Sequence, residues 1–137
     1  MKRTQTIFFI LSGLILFSNL AFAKTIVVGK NQVITSLRTA VELANDNDTI
    51  LLQKGIYKEG NIVLNKPIRL IGVNEPVLDG ENKYEILTIT GERILVKGIR
   101  FQNSGYSSMN DYASIGLIDA RDCIVENNFI DHSFFGI

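Results

Sequence analysis

The chain has 137 residues, of which 46% are apolar, and its 14 basic residues balance its 14 acidic residues. This neutral balance, without a basic patch or an arginine run interleaved with aromatic residues, argues against nucleic-acid binding. The single cysteine, Cys123, excludes an internal disulfide framework.

Residues 1–23 have the order of a secretory signal peptide. Lys2-Arg3 forms a positive n-region, residues 7–20 form an apolar h-region, and Ala21-Phe22-Ala23 matches the A-x-A cleavage pattern. The alternative is a membrane anchor, but the apolar run is shorter than the ~20 residues that a membrane span needs. We therefore expect a signal peptide at residues 1–23 and one mature domain at residues 24–137. That domain would be periplasmic, without stable membrane insertion, and the loss of Lys2 and Arg3 from a neutral chain would leave it a net charge of −2 (0 − 2).

A short strand at residues 24–28 is followed by the only predicted helix. Its apolar residues recur at the spacing i, i+3, i+4 and i+7, which indicates an amphipathic helix, and Ser36 is a suitable N-cap. Turn-forming residues at 45–48 end it, so we place the helix at about residues 36–45. It is expected to cover the open first coil of a solenoid. The apolar positions are Leu37, Ala40, Val41 and Ala44.

The rest of the chain predicts short strands separated by turns. Residues 86–104 and 115–133 resemble each other position by position, with polar residues alternating between apolar ones, as in half-buried strands. In this alignment Ile89 recurs as Ile118, Ile94 as Cys123, Val96 as Val125 and Phe101 as Ile130.

Opposite charges also align across the repeat: Glu92 with Arg121, Arg93 with Asp122, and Lys97 with Glu126. Parallel stacking ~4.8 Å apart would place each charge beside its opposite. The alternative is two unrelated hairpins, but a third copy, in which Leu70 corresponds to Val96, argues against it.

The interval from Leu70 to Val96 is shorter than the interval from Val96 to Val125. Unequal intervals are typical of a β-solenoid, whose turns can lengthen without disturbing the strands. The polar loop at residues 103–112 carries the excess of the second interval. The mature domain would then form about four coils. Because residues 133–137 begin another strand without a cap, we expect the chain to be the N-terminal part of a longer β-helix.

Residues 37–80 resemble the N-terminal coils of right-handed parallel β-helix proteins, including the pectin-lyase-like enzymes. This resemblance implies the fold and says little about function. The matching stretches are Ala40-Val41-Glu42-Leu43-Ala44, Asp48-Thr49-Ile50-Leu51-Leu52, Gly55-Ile56-Tyr57, Ile68-Arg69-Leu70-Ile71-Gly72 and Val77-Leu78-Asp79-Gly80.

A narrower resemblance covers nearly all of the mature chain. Residues 94–101 run into Asn103-Ser104-Gly105, a Met-Asn-Asp loop and Ala113-Ser114-Ile115, and residues 124–130 and 135–137 complete the succession. Together they resemble the periplasmic accessory proteins that mature nitrous oxide reductase, although that family has glycine at the position of Ser114. The resemblance implies a non-enzymatic β-helix at the outer face of an ABC transporter. It would help to deliver copper to the reductase, directly or with a copper chaperone.

Few residues of the mature chain are suited to copper. Copper(I) prefers thiolate and thioether ligands, and copper(II) accepts imidazole. The domain offers one of each: Met109, Cys123 and His132. The repeat places Cys123 inside the coil with Val125 and His132 in a turn, so Met109 and His132 form the candidate metal pair. The alternative is a loop methionine, a buried cysteine and a solvated histidine, and we expect weak or no copper binding.

Two rival functions remain open: a polysaccharide lyase or hydrolase, and a non-catalytic carbohydrate-binding β-helix. Hydrolysis by this fold would need a general acid and base on adjacent coils of one exposed strand. The candidate carboxylates are Asp119, Asp122 and Asp131, which align in the preceding coil with Thr90, Arg93 and Gln102, respectively. No position therefore has a carboxylate on both coils, and no catalytic residue is assigned. Asn127-Asn128 has a structural interpretation, since asparagine tolerates a left-handed coil corner and can hydrogen-bond along a stack.

Overall fold

The computed structural model describes residues 22–107 and 109–137, and in it the chain winds into a parallel β-solenoid of about four turns. The predicted fold class is therefore confirmed. The elements in chain order are β1 (Thr25–Val28), α1 (Leu37–Leu43), β2 (Thr49–Leu52), β3 (Ile56–Tyr57), β4 (Ile62–Leu64), β5 (Arg69–Gly72), β6 (Val77–Asp79), β7 (Leu87–Ile89), β8 (Leu95–Lys97), β9 (Arg100–Gln102), β10 (Ile115–Leu117), β11 (Ile124–Glu126) and β12 (Phe129–Asp131).

Successive coils stack their strands into three parallel sheets, with the orders β1-β2-β5-β8-β11, β4-β7-β10 and β3-β6-β9-β12. In the five-stranded sheet Ile50 pairs with Leu70, Leu70 with Val96, and Val96 with Val125. These strands therefore pair at the unequal intervals that the sequence predicts, from Leu70 to Val96 and from Val96 to Val125.

The core fills the space enclosed by the three sheets. Inward-facing side chains such as Ile50, Leu70, Val96 and Phe101 are fully buried, and each contributes about 1.5–3 kcal/mol to the free energy of unfolding. In the last coil Val125 and Ile130 contact this core but are only partly buried. The interior is therefore least shielded at the fourth coil.

Helix α1 packs against β1, β2 and β4 as the predicted cap of the first coil. Its buried face consists of Leu37, Ala40 and Val41. The Ser36 hydroxyl accepts a hydrogen bond from the Thr39 amide at 3.2 Å, which is the predicted N-cap geometry.

A second cap reaches α1 from a later coil. The Glu59 carboxylate accepts hydrogen bonds from the Leu37 amide at 2.8 Å, the Arg38 amide at 2.9 Å and the Ser36 hydroxyl at 2.8 Å. Amide groups at a helix N-terminus have no partner within the helix, and a carboxylate is their strongest acceptor. This contact fixes the helix over the solenoid.

The tight corners between the five-stranded and four-stranded sheets depend on residues with left-handed backbone. Gly98 has φ 75° and Asn127, one coil later, has φ 53°. Asn128 accepts a hydrogen bond from the Ile99 amide at 3.1 Å and donates one to the Val96 carbonyl at 3.0 Å. The predicted roles of the two asparagines, a left-handed corner and hydrogen bonds along the stack, are confirmed.

One part of the predicted register is wrong. In the three-stranded sheet Ile89 pairs with Leu117 rather than with Ile118, one position short of the predicted partner. The predicted register returns at the bridge between Glu92 and Arg121. The intervening corner takes up the additional residue, helped by Asp119, whose φ is 52°. Continued by one residue, the observed register would place Ile118 rather than Asp119 opposite Thr90.

The predicted cross-coil charge pairing is confirmed in position but not as ion pairs. Glu92 bridges to Arg121, as predicted. The Arg93 guanidinium, however, lies 2.9 Å from the carboxylate of Glu92 in its own coil. Within the described ranges no ion pair joins Arg93 to Asp122. Because both Arg93 and Glu92 are at least half exposed, their attraction contributes little to stability.

The predicted signal peptide lies almost entirely outside the described residues, which begin at Phe22. No helix in the described part of the chain is long and apolar enough to cross a membrane. The strand predicted at residues 133–137 is reduced to a single bridge between Phe135 and Ala113.

Candidate functional site

The loop between β9 and β10, residues 103–114, is held at both of its faces. The Gly105 amide donates a hydrogen bond to the Tyr84 carbonyl at 2.8 Å, which ties the loop to the preceding coil. The hydroxyl of Ser104, which is buried, accepts one from the Phe134 amide at 3.1 Å, which ties it to the following coil. A side chain at position 105 would meet the backbone of Lys83 at 2.5 Å, so this close approach requires glycine.

The loop forms an exposed aromatic cluster with the last coil. We define the aromatic cluster as Tyr106, Phe134 and Phe135. The rings of Tyr106 and Phe134 meet edge to face with centroids 4.8 Å apart, and those of Phe134 and Phe135 do the same at 4.6 Å. All three side chains are exposed. Exposed aromatic residues in contact with one another are typical of recognition surfaces.

The two residues of the predicted metal pair are both solvent-exposed. Met109 is 89% exposed at the tip of the same loop, where its amide donates to the Ser107 hydroxyl. His132 follows β12 with φ 46°, and its Nδ1 lies 2.9 Å from a carboxylate oxygen of Asp131. Among the residues that the structure describes, no group of three or more histidine, cysteine, aspartate or glutamate side chains is arranged to hold a metal ion.

Cys123 lies in the interior of the fourth coil, as predicted. Its side chain packs against the core, and its Sγ lies 3.2 Å from the Arg121 carbonyl and 3.6 Å from the Gly91 carbonyl. It is partly exposed because the fourth coil is open on one side. A thiol in this position serves as a small apolar filler of the coil.

The three candidate carboxylates are on different parts of the coil. Asp119 and Asp122 are exposed at the corner between β10 and β11, whereas Asp131 ends β12 and pairs with Gln102, as predicted. Gln102 pairs in turn with Asp79, so one row of the four-stranded sheet has carboxylates on β6 and β12, with an amide between them on β9.

Asp79, which sequence reasoning did not single out, is committed to structure. Desolvation is the largest influence on its carboxyl and raises the pKa. The hydrogen bonds that it accepts from the Glu81 amide and from the side chains of Gln102 and Asn103, together with the charge of Lys58, outweigh desolvation, so the pKa is lowered. A carboxylate that already accepts three hydrogen bonds is a poor general base.

A shallow groove of about 470 Å³ crosses the outside of the tight corners and spans three successive coils. We call it the corner groove. Gly72 and Gly98 form its floor, because their backbones are too close for side chains: a Cβ on Gly72 would lie 2.2 Å from the Gly98 carbonyl oxygen. The other residues lining it are Asn74, Glu75, Ile99, Arg100, Asn127, Asn128 and Phe129.

The side chains of the corner groove combine an aromatic face with planar polar groups. The Arg100 guanidinium lies 4.0 Å from the centroid of the Phe129 ring, a cation–π arrangement, and 3.9 Å from the Glu75 carboxylate. Phe129 is 52% exposed. An aromatic ring flanked by amide, carboxylate and guanidinium groups can contact an apolar face and hydrogen-bond several hydroxyl groups of one ligand.

No family model matches this chain, and no curated protein or solved structure matches it either. The resemblance to the copper-accessory proteins therefore depends on the motifs in the sequence. Sequence reasoning missed the corner groove and the aromatic cluster, because their members come from different coils and lie far apart in the chain. An available signal was the recurrence of small or left-handed residues at one corner, namely Gly72, Gly98 and Asn127.

Proposed function

We propose that this chain is an exported, non-enzymatic β-solenoid that assists copper-centre maturation of nitrous oxide reductase together with an ABC transporter. The proposal depends on one observation, the succession of motifs from Ile94 to Ile137 that resembles the accessory family. That succession contains the loop at residues 103–114, which is the longest helix-free connection between strands in the described chain. Copper would be cargo handed between partners, and not a resident cofactor of this domain.

The aromatic cluster supports a role in binding a protein partner. Tyr106 lies on the loop and Phe134 and Phe135 lie on the last coil, so the cluster joins the two most distinctive parts of the motif succession. Tyrosine and phenylalanine are enriched at protein interfaces because they bury a large area with few rotatable bonds. The transporter, the reductase or a copper chaperone would be the partner.

Deletion of the gene in a denitrifying host tests the maturation role directly. We expect the purified reductase to lose most of its copper and to recover it on complementation with the wild-type gene. Complementation with Tyr106→Ala/Phe134→Ala should restore copper poorly. Tyr84→Ala is the matched control, because Tyr84 is an exposed aromatic residue outside the cluster. A fully copper-loaded reductase in the deletion strain would contradict the proposal.

Carbohydrate binding without catalysis is the second candidate, and the corner groove favours it. Each of the three coils that the groove crosses contributes at least one polar side chain, and neighbouring coils are ~4.8 Å apart, so successive hydroxyl-bearing units of one ligand could be contacted by successive coils. Its exposed ring, Phe129, would pack against the apolar face of a sugar.

Affinity electrophoresis in gels containing neutral or acidic polysaccharides would test this candidate. If carbohydrate is the ligand, migration of the protein is retarded, and Phe129→Ala abolishes the retardation. Leu117→Ala is the control, since Leu117 is about as exposed as Phe129 but lies outside the groove. Unretarded migration in every gel would exclude this candidate, and release of reducing ends would support the hydrolase alternative instead.

A further inference from the structure

The first contact of the mature domain in the described chain joins a backbone nitrogen to a buried carboxylate. The Lys24 nitrogen lies 2.8 Å from Oδ1 of Asp48, a residue that is only 2% exposed. The Lys24 carbonyl then accepts the Thr49 amide at 2.9 Å, which starts the pairing of β1 with β2. Lys24 is therefore bound to the solenoid through both its backbone nitrogen and its carbonyl.

The Asp48 carboxylate accepts two short hydrogen bonds from backbone amides, whereas its only nearby cation in the described chain is more distant. Its other oxygen accepts the Asn45 amide at 2.8 Å and lies 3.7 Å from the Lys24 ammonium, whose side chain is about half exposed. Desolvation is the largest influence on the Asp48 carboxyl and raises the pKa, but the hydrogen bonds from Asn45 and Lys24, together with the charge of the Lys24 ammonium, outweigh it and lower the pKa. The group is therefore ionised at neutral pH, and a buried anion is stabilised strongly by a close cation.

The residues just before Lys24 leave its peptide bond accessible. Phe22 is 84% exposed and Ala23 is also exposed. They complete the Ala-Phe-Ala pattern that is typical of signal-peptidase cleavage. The sequence pattern thus indicates cleavage at the bond whose nitrogen donates to the buried Asp48 carboxylate.

We propose that cleavage of the Ala23–Lys24 bond creates an α-ammonium group that ion-pairs with the buried carboxylate of Asp48. A signal peptidase adds water across the amide: Ala23 gains a carboxylate, and the Lys24 nitrogen gains the protons that make it an ammonium at neutral pH. The neutral N–H···O contact becomes a charge-assisted one in the same place. This inference rests on the export that the proposed function requires, and it assigns Asp48 as the receptor of the new N-terminus.

The α-amine of the mature protein should be held in its protonated form. An unpaired α-amino group has a pKa of about 7.7–8.0. The Asp48 carboxylate raises this pKa, and the Lys24 ε-ammonium opposes the increase from the far side of the same carboxylate. Because that ε-ammonium is more exposed and more distant, we expect a net upward shift.

The test uses the full chain, expressed with its N-terminal segment in a host that exports it. N-terminal sequencing of the exported protein should begin at Lys24. Acylation of the α-amine near neutral pH, followed by mass spectrometry, should be about tenfold slower than in the same protein unfolded in urea, as expected for a shift of one pKa unit. Asp48→Asn should restore the fast rate, whereas Asp46→Asn, which changes an exposed carboxylate in the same turn, should not.

Three results would overturn the inference. A mature N-terminus other than Lys24 would exclude the cleavage site. Equal acylation rates in the folded and unfolded wild-type protein would exclude the ion pair even if Asp48→Asn fails to fold, and so would a slow rate that persists in a folded Asp48→Asn protein. The copper content of the reductase is a separate readout, so failure of the maturation role would not be confused with failure of this one.

Discussion

Gly72 and Gly98 occupy successive coils at the same corner, where a Cβ on Gly72 would lie 2.2 Å from the Gly98 carbonyl oxygen. No rotamer relieves this overlap, because the position of a Cβ is set by the backbone and the oxygen that it meets is a backbone atom. We therefore expect Gly72→Ala to lower the free energy of unfolding by about 1–3 kcal/mol, measured by urea denaturation. Gly136→Ala is the control, since its Cβ would meet nothing closer than Ile130 at 3.8 Å. Equal midpoints for the two variants would show that the corner can relax.

Asp79 should make stability sensitive to acid. Its folded-state pKa is below the ordinary value of 3.8, so the unfolded state takes up a proton first as the pH falls. The stabilisation that the Asp79 carboxylate provides is complete above the pKa that this group has in the unfolded state. It is lost as the pH falls through the lower pKa that the group has in the folded state.

The urea midpoint of the wild-type protein is therefore expected to drop between about pH 5 and about pH 2. Asp79→Asn should be less stable at neutral pH and should lose less on acidification. Asp111→Asn changes an exposed loop carboxylate and serves as the control. An unchanged acid dependence in Asp79→Asn would mean that other carboxyl groups, such as Asp48, account for it.

The carboxylate of Glu59 is expected to stabilise the helical cap from a distant position in the chain. In Glu59→Gln one oxygen becomes an amide that cannot accept a hydrogen bond, so at least one of its three donors loses a partner. We expect a loss of about 1 kcal/mol in the free energy of unfolding. Glu42→Gln, which changes an exposed glutamate of α1, should have a negligible effect. If the two variants unfold at the same urea concentration, the long-range cap is unimportant.

The domain is expected to bind copper weakly or not at all. Met109 and His132 are both exposed, and no group of three or more histidine, cysteine, aspartate or glutamate side chains in the described chain is arranged to hold a metal ion. In competition with a chromophoric copper(I) chelator, one equivalent of the wild-type protein should therefore not withdraw an equivalent of copper from the chelator. The Met109→Ala/His132→Ala variant should behave identically. Tight binding that is lost in this double variant would show that the loop methionine and the turn histidine do form a site.

The repetitive part of this protein could be predicted from local sequence patterns. Apolar residues at alternate positions, recurring from Leu70 to Val96 and again to Val125, predicted stacked parallel strands, because inward-facing residues of every coil must share one core. The amphipathic spacing that ends at Ala44 likewise predicted the capping helix. These features depend on local periodicity, which a sequence shows directly.

The features at the corners of the coils could not be predicted in this way, because they depend on how the coils stack. Leu117 and Ile118 are adjacent and both apolar, so either satisfies the repeat, and the extra corner residue selects Leu117 as the partner of Ile89. The Arg93 guanidinium forms an ion pair with its neighbour Glu92, because both side chains are exposed and adjacent in the chain. The corner groove and the Lys24–Asp48 contact also arise from stacking. Residues from different coils meet there at distances set by backbone turns, which local periodicity does not specify.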